Sequence, residues 1–363
     1  MLKFTGEKCI LMQHNKKSLL VLIILGIIVS ALIGLRSSDV GRDTVSYISY
    51  FSDSVVYGVI DKFEFGFSYL LYFISNTINS VDFFFFIIAL IITSCYIIFF
   101  YKLYLKLFKP HRSSVGRYII FFTILLFSSW YYTLTTNGIR QGVSIAFIYL
   151  ALYYLFYEQK KVKFIIISLL AISFHLSAIV ILPIFLFYKT RFRLVFIAWV
   201  LSGIGYFTST NELFIEWISI KFNLPIYQLV KFYAVERGEQ PGDGLYYGFD
   251  LKFFIYTIFW PLLLLILSKW KSQSKSYELN KKEVFVLIKI YFFLSIPYFL
   301  LGFGAFSNRF AVLSWFLIPV LQFYSISSLR FRYLFGPFAI IPLVIGLLFF
   351  CFIQLQWLNI FLK

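Results

Sequence analysis

Long apolar runs, separated by short polar or basic turns, set the rhythm of the chain. Runs at 19–34, 83–101, 118–134, 139–156, 194–207, 251–267, 284–301, 310–326 and 334–355 approach the roughly 20 residues that a helix needs to cross about 30 Å of hydrocarbon. Two further apolar stretches do not fit that pattern. Residues 65–78 are short for a crossing and run into Asn79, Ser80 and Asp82, so they read as a half-helix dipping from the outer face. Residues 164–188 are long enough, but His175 stands near their middle and Pro183 follows it. Lys160, Lys161 and Lys163 precede that stretch, and Lys189, Arg191 and Arg193 follow it. Basic residues collect on the cytoplasmic side of short loops, so both of its ends read as cytoplasmic. A re-entrant hairpin turning near His175 satisfies that bias, whereas one long tilted span with an interior histidine does not. The pattern predicts an all-α polytopic integral membrane protein of about nine clean transmembrane helices plus two broken or re-entrant elements, 65–78 and 164–188. Residues 1–363 form a single transmembrane domain, with the N-terminus held inside by Lys3, Lys8, Lys16 and Lys17.

Two polar intervals fall outside on this topology. Residues 36–64 hold Asp39, Arg42, Asp43, Asp53, Asp61 and Glu64. Residues 208–250 hold Glu212, Glu216, Glu236, Arg237, Glu239, Asp243 and the turn Gln240-Pro241-Gly242-Asp243-Gly244, with an amphipathic helix expected near 212–222. Both intervals are expected to contribute to an active-site cavity. Composition agrees with the pattern: 61% hydrophobic and 13% charged residues exclude an ordinary soluble domain, whose charged share is about a quarter. A net charge of +17 would suggest nucleic acid in a soluble protein, but here the charge sits at loop ends, where topology accounts for it. No nucleic-acid partner is expected. The run 19–34 is followed by Leu35, Arg36 and polar residues instead of a small-residue cleavage site, so it reads as a retained span. Cys9, Cys95 and Cys351 are far apart, which points to packing and not to a disulfide or metal framework.

Removing the inner-loop charges leaves five arginines on the outer side: Arg36, Arg42, Arg140, Arg237 and Arg309. A guanidinium stays charged and grips a phosphate oxygen pair bidentately. Arg140, in Asn137-Gly138-Ile139-Arg140, and Arg309, in Ser307-Asn308-Arg309, stand at the outer ends of spans. A membrane-edge charge is a functional candidate, and the bland alternative is snorkelling to lipid headgroups. Among acids, Asp43 and Glu64 lie in the outer interval, where either could accept a proton from a sugar hydroxyl or hold an arginine in place. His175 is the one histidine inside an apolar run and could serve as a base, a phosphate contact or a buried hydrogen-bonding residue. A phosphate loop, an HExxH pair, paired-cysteine spacing, an Asp-x-Asp pair and a Gly-x-Ser-x-Gly elbow are all missing from the sequence. The expectation is chemistry without a metal or other cofactor.

Five segments, GRDTVSYISYF at 41–51, EFGFSYL at 64–70, NGIRQGVSIAF at 137–147, SFHLSAIVILP at 173–183 and NRFAVLSWFLIP at 308–319, resemble in order the EpsG-type branch of the Wzy polymerases of bacterial O-antigen, capsule and exopolysaccharide assembly. The resemblance implies a multi-pass protein of the bacterial inner membrane. Its active site would face the periplasm or cell exterior, and its substrate would be an undecaprenyl-diphosphate-linked oligosaccharide held in membrane lipid. It implies transfer of the growing glycan onto the next lipid-linked repeat unit, and it admits a chain-length regulator protein as a partner. Arg140 and Arg309 are then expected to bind diphosphate, with Arg36, Arg42 and Arg237 as secondary contacts. The catalytic base remains open among Glu64, His175 and Asp43. A diphosphate leaving group without a covalent nucleophile implies inversion at the anomeric carbon. A polysaccharide flippase, an O-antigen ligase and a sugar acyltransferase are the competing readings. A transporter is expected to show paired repeats in its halves, and none is visible.

Overall fold

Each expected apolar run is helical over most of its described length in the computed structural model, which describes residues 3–108, 115–231, 248–270, 280–304, 307–328 and 340–355. In chain order the helices are α1 (Lys3–Gly34), α2 (Thr44–Tyr57), α3 (Phe65–Thr77), α4 (Val81–Leu107), α5 (Val115–Leu126), α6 (Ser129–Thr136), α7 (Ile139–Phe156) and α8 (Lys161–Phe174). A 3-10 turn (Leu176–Ile181) leads into α9 (Leu182–Phe187), α10 (Phe192–Phe207), α11 (Thr210–Lys221) and α12 (Ile226–Lys231). The remaining helices are α13 (Leu251–Trp270), α14 (Lys281–Leu301), α15 (Ser307–Trp315), α16 (Ile318–Ser328) and α17 (Ile340–Leu355). Arg237, the turn at 240–244 and His111 lie outside the described residues, as do the side chains of Cys9 and His14.

The chain is a polytopic membrane protein. Five of the described stretches, Val81–Leu107, Ile139–Phe156, Leu251–Lys269, Lys281–Leu301 and Ser307–Ser328, are long and apolar enough to cross a membrane, the last with a two-residue turn between α15 and α16. One expected crossing is a bent pair, and another turns sharply at its end into the helix expected near 212–222. The run 118–134 divides into α5 and α6 at 65°, and α10 continues into α11 at 93°. Ser128 explains the first break, because its hydroxyl caps α6 by accepting the Tyr131 N–H at 3.4 Å. The first and last expected crossings are shorter, Leu19–Gly34 and Ile340–Cys351 among the described residues. The short helix expected at 65–78 is α3, whose 13 residues span about 20 Å.

The polar interval 36–64 is not a plain loop. Thr44, Tyr47, Phe51 and Ser54 recur at intervals of three and four and are buried, which makes α2 an amphipathic helix. Threonine and serine on its inner face, with Val45 and Val56 exposed on its outer face, hide that pattern from a hydropathy reading. The stretch 164–188 breaks at its histidine. His175 closes α8 by donating its backbone N–H to the Ala171 carbonyl at 3.2 Å, then turns extended before the 3-10 segment.

The described residues form two compact units, divided between Ile179 and Val180, with Asn280 and α17 belonging to the first. In the first unit α1 packs on α4, α4 on α7, α7 on α8, α8 on α3 and α3 on α2, while α5 packs on α17 and α1. Its core is aromatic, and the α7–α8 contact is fixed by Ser144 Oγ donating to the Ala171 carbonyl at 2.9 Å. In the second unit α14 packs on α10, α13 and α15, and α13 packs on α16. Indole N–H groups hold these helices together, Trp199 donating to Ser295 Oγ and Trp315 to Thr257 Oγ1, each at 2.8 Å. Lys289, buried in α14, donates to the Tyr188 carbonyl at 2.6 Å and the Thr190 carbonyl at 2.5 Å, so its charge is met by the backbone just beyond α9.

Candidate functional site

Helix ends converge in the first unit: the segment after α1, the starts of α2, α3 and α7, and the segment after α8. Glu64 precedes the first residue of α3 in extended backbone, and Arg140 is the second residue of α7. They meet as an ion pair, Arg140 Nη1 donating to Glu64 Oε2 at 2.6 Å, with both side chains about four-fifths buried. The other carboxylate oxygen, Oε1, accepts the backbone N–H of Leu176 at 3.0 Å. Glu64 thereby ties the start of α7 to the break after His175. A carboxylate at the start of α3 sits with that helix dipole, whereas a guanidinium in the first turn of α7 sits against it. Helix stability alone therefore does not explain Arg140.

Two glycines let these segments approach. A side chain at Gly66 would place its Cβ 2.9 Å from the Ser173 carbonyl oxygen. Gly41 has φ +93° and faces the Asn137 Oδ1, which a Cβ there would meet at 2.8 Å. The segments 41–51, 64–70, 137–147 and 173–183 thus share one site.

Aromatic rings floor it. The Arg140 guanidinium lies 4.5 Å from the Phe63 ring centroid and 6.0 Å from that of Phe67. Tyr47 packs 5.9 Å from Phe67, and its phenol lies within the electrostatic reach of Arg140. Arg36 is only 5% exposed; it stacks on Phe85 at 3.6 Å and donates Nη1 to the Ile33 carbonyl at 3.2 Å and Nε to Thr44 Oγ1 at 3.4 Å. Its Nη2, like Arg140 Nε and Asn137 Oδ1, is buried without a hydrogen-bond partner. Each of the two guanidinium groups thus keeps one donor unused among aromatic rings.

The electrostatics follow from that geometry. Burial pushes the Glu64 carboxyl upward, but the Leu176 N–H and its own backbone N–H, then Arg140, outweigh it and hold the group below the usual carboxylate range. Burial pulls the Arg36 guanidinium down to about 10, because Tyr132, Tyr47 and Asp82 restore only part of the lost solvation. Burial likewise raises the Tyr47 phenol, against the pull of Arg140. His175 is half-buried, and its Nδ1 faces the Ser177 N–H at 3.2 Å and the Ser177 hydroxyl at 2.7 Å. A backbone N–H can only donate, so that contact favours the neutral ring with its proton on Nε2.

Of the residues expected from sequence, Glu64, Arg140, His175 and Arg36 belong to this cluster. Asp43 stands exposed at the start of α2, with its carbonyl accepting the Tyr47 N–H at 3.1 Å and its charge acting on the Tyr47 phenol. Arg42 is exposed beside it. Arg309 is half-buried in the first turn of α15, in the second unit. Tyr47, Phe63, Phe67 and the Leu176 N–H were not anticipated. For Tyr47 the signal was present, four residues after Asp43 on the buried stripe of α2. Among the described residues, no group of three or more His, Cys, Asp or Glu is gathered closely enough to hold a metal ion.

The family model described as the EpsG family matches residues 19–360. Comparison with curated proteins and with solved structures finds no match in either.

Proposed function

Because the chain belongs to the EpsG family, whose members are implicated in polysaccharide biosynthesis, we propose that it is an inverting glycan polymerase. It takes a growing undecaprenyl-diphosphate-linked glycan as donor and the next lipid-linked repeat unit as acceptor, on the outer face of the bacterial inner membrane. The observation that carries this reading is the Glu64–Arg140 pair in the same cluster of helix ends as Arg36: two buried guanidinium groups packed on aromatic rings, each with one hydrogen-bond donor left over. Aromatic faces suit sugar rings, and guanidinium groups suit the diphosphate that departs.

In the reaction, the bond between the donor anomeric carbon and the diphosphate oxygen breaks, and the acceptor hydroxyl oxygen bonds to that carbon from the opposite face. Arg140 and Arg36 meet the negative charge that grows on the diphosphate. The hydroxyl proton goes to a carboxylate. Glu64 is ill suited to receive it, because both its oxygens are engaged and its proton affinity is depressed. We assign it to holding Arg140. His175 has its Nδ1 lone pair engaged by Ser177, so it serves as an Nε2–H donor toward substrate oxygen. Asp43, exposed at the rim and making no capping bond with its side chain, takes the proton. Arg309 remains a diphosphate candidate on its own span end.

The test is deletion in a host carrying the cognate glycan locus, with complementation. A polymerase predicts surface lipid bearing a single repeat unit, restored to long chains by the wild type and not by a normally inserted Arg140→Ala variant. Loss of all surface repeat units would point to a flippase, unattached polymer to a ligase, and long chains lacking an acyl group to an acyltransferase. Retention of anomeric configuration in the product linkage would overturn the single-displacement step.

A further inference from the structure

The turn from α10 into α11 is built, not frayed. Ser209 adopts left-handed backbone at φ +59°, a conformation that costs a non-glycine residue, and the chain bends by 93° there. Asn211 locks the elbow, its amide donating to the Ser202 carbonyl at 2.8 Å and the Phe299 carbonyl at 2.9 Å. Gly205 leaves room for that side chain, since a Cβ there would stand 2.6 Å from Asn211 Cγ. Farther along, Ser219 is buried and its hydroxyl accepts the Tyr227 N–H at 3.1 Å, while Glu212 pairs with Lys231 at 3.0 Å. Asn211, Glu212 and Ser219 thus tie one side of α11 to its own unit.

The other side is bare and apolar. Leu213, Phe214, Trp217 and Ile220 are all more than half exposed, Ile220 at 77%. At 100° per residue they occupy an arc of about 120°, with Lys221 inside it between Trp217 and Phe214. The Lys221 ammonium lies 4.7 Å from the Trp217 ring centroid. The apolar arc continues the exposed stripe of Leu194, Ile197, Leu201, Ile204 and Phe207 on α10. A membrane span carries that stripe against hydrocarbon, and a helix turned through a right angle at its end runs along the membrane plane. Tryptophan with lysine at its side is the composition that settles at headgroup level.

We propose that α11 is an interfacial helix whose Leu213–Phe214–Trp217–Ile220 face rests in the headgroup and acyl boundary of the leaflet where α10 ends. The partner of this surface is lipid. It fixes the depth at which the elbow and the following polar interval are presented. The inference does not depend on the reaction assigned above.

Spin labels in a cysteine-free background decide it, with the full chain reconstituted in phosphatidylethanolamine–phosphatidylglycerol vesicles. Labels are placed at Ile220→Cys and Phe214→Cys, with Leu201→Cys in α10 as the deep reference and Asp61→Cys as the aqueous one. The expected result at 220 and 214 is collision with oxygen well above that at 61 but below that at 201, and collision with an aqueous nickel chelate well below that at 61. Nickel accessibility equal to that at 61 would place the face in water and overturn the proposal. Shielding from both reagents would show a protein covering, such as a second copy of the chain, and would overturn it equally. Trp217→Ser, insertion-competent because its side chain leaves the elbow untouched, should shift the 220 label toward the nickel reagent.

Discussion

Glu64 offers two oxygens and both are occupied, one by Arg140 and one by the Leu176 N–H. Its proton affinity lies below that of an ordinary glutamate, so its contribution to stability is fully present above the usual carboxylate range and is lost only as pH falls through the depressed folded-state value. The thermal midpoint of the wild type should therefore exceed that of Glu64→Gln by a constant margin from neutral pH down to that range, closing only in stronger acid. A hydrogen bond to a charged group contributes about 1.5–3 kcal/mol, and the part-exposed setting places this pair toward the lower end. If Glu64 is a holder and not the base, Glu64→Gln keeps a measurable fraction of polymer formation, whereas Asp43→Asn removes it with little change in midpoint. The opposite ranking would return the base role to Glu64. Arg36 presents the reverse balance: a buried guanidinium at 5% exposure with one nitrogen orphaned costs the folded protein energy. Arg36→Met should raise stability by about 1–3 kcal/mol, read as a higher midpoint, while polymer length and yield fall. A lower midpoint would mean that the stacking on Phe85 and the bond to Thr44 outweigh the desolvation.

Two of the approaches at the site, at Gly41 and Gly66, are too close for a side chain. Gly66 backs onto Ser173, and this contact sets the distance from Glu64 to Leu176. Gly66→Val should lower stability by about 1–3 kcal/mol and abolish polymer formation, since overpacking shifts the backbone. Gly203→Ala, whose added Cβ would have nothing nearer than 3.6 Å, should be tolerated; equal loss in both would show the effect to be general helix sensitivity. Hydropathy made α4, α7, α13 and α14 legible, and the break at His175 was legible from a histidine inside an apolar run bounded by lysines. α2 was not, because its buried stripe mixes Thr44 and Ser54 with Tyr47 and Phe51 while valines face outward. The bends at Ser128 and Ser209 were equally hidden, one depending on a serine cap and the other on a left-handed serine. At the site, charge and position picked out Arg140 and Glu64 but could not pair them, since their contact spans 76 residues. The part of the Leu176 N–H has no sequence signal at all, because every residue but proline carries the same group.

Across the molecule, the stretch at 164–188 decides which membrane face the chain reaches next. α8 has 14 residues, and the 3-10 turn with α9 has six and six, giving two arms of about 21 Å each at 1.5 and 2.0 Å per residue. Neither arm crosses about 30 Å of hydrocarbon alone, whereas laid end to end they exceed it. Length therefore permits either a returning hairpin or one broken span, and charge separates them. Lys160, Lys161 and Lys163 flank one end and Lys189, Arg191 and Arg193 the other, and translocating either trio opposes the bias that holds lysine and arginine in the cytoplasm. The prediction is that cysteines at Lys160 and Arg191, in a cysteine-free chain in intact cells, resist a membrane-impermeant maleimide and react only after permeabilisation. A cysteine at Asp61 should react at once. Labelling of Arg191→Cys from outside would make the stretch an ordinary crossing. His175 would then stand inside a bent span, and every element after it would change sides, carrying the Arg309 end of α15 to the cytoplasmic face, where it could not meet a substrate presented on the other.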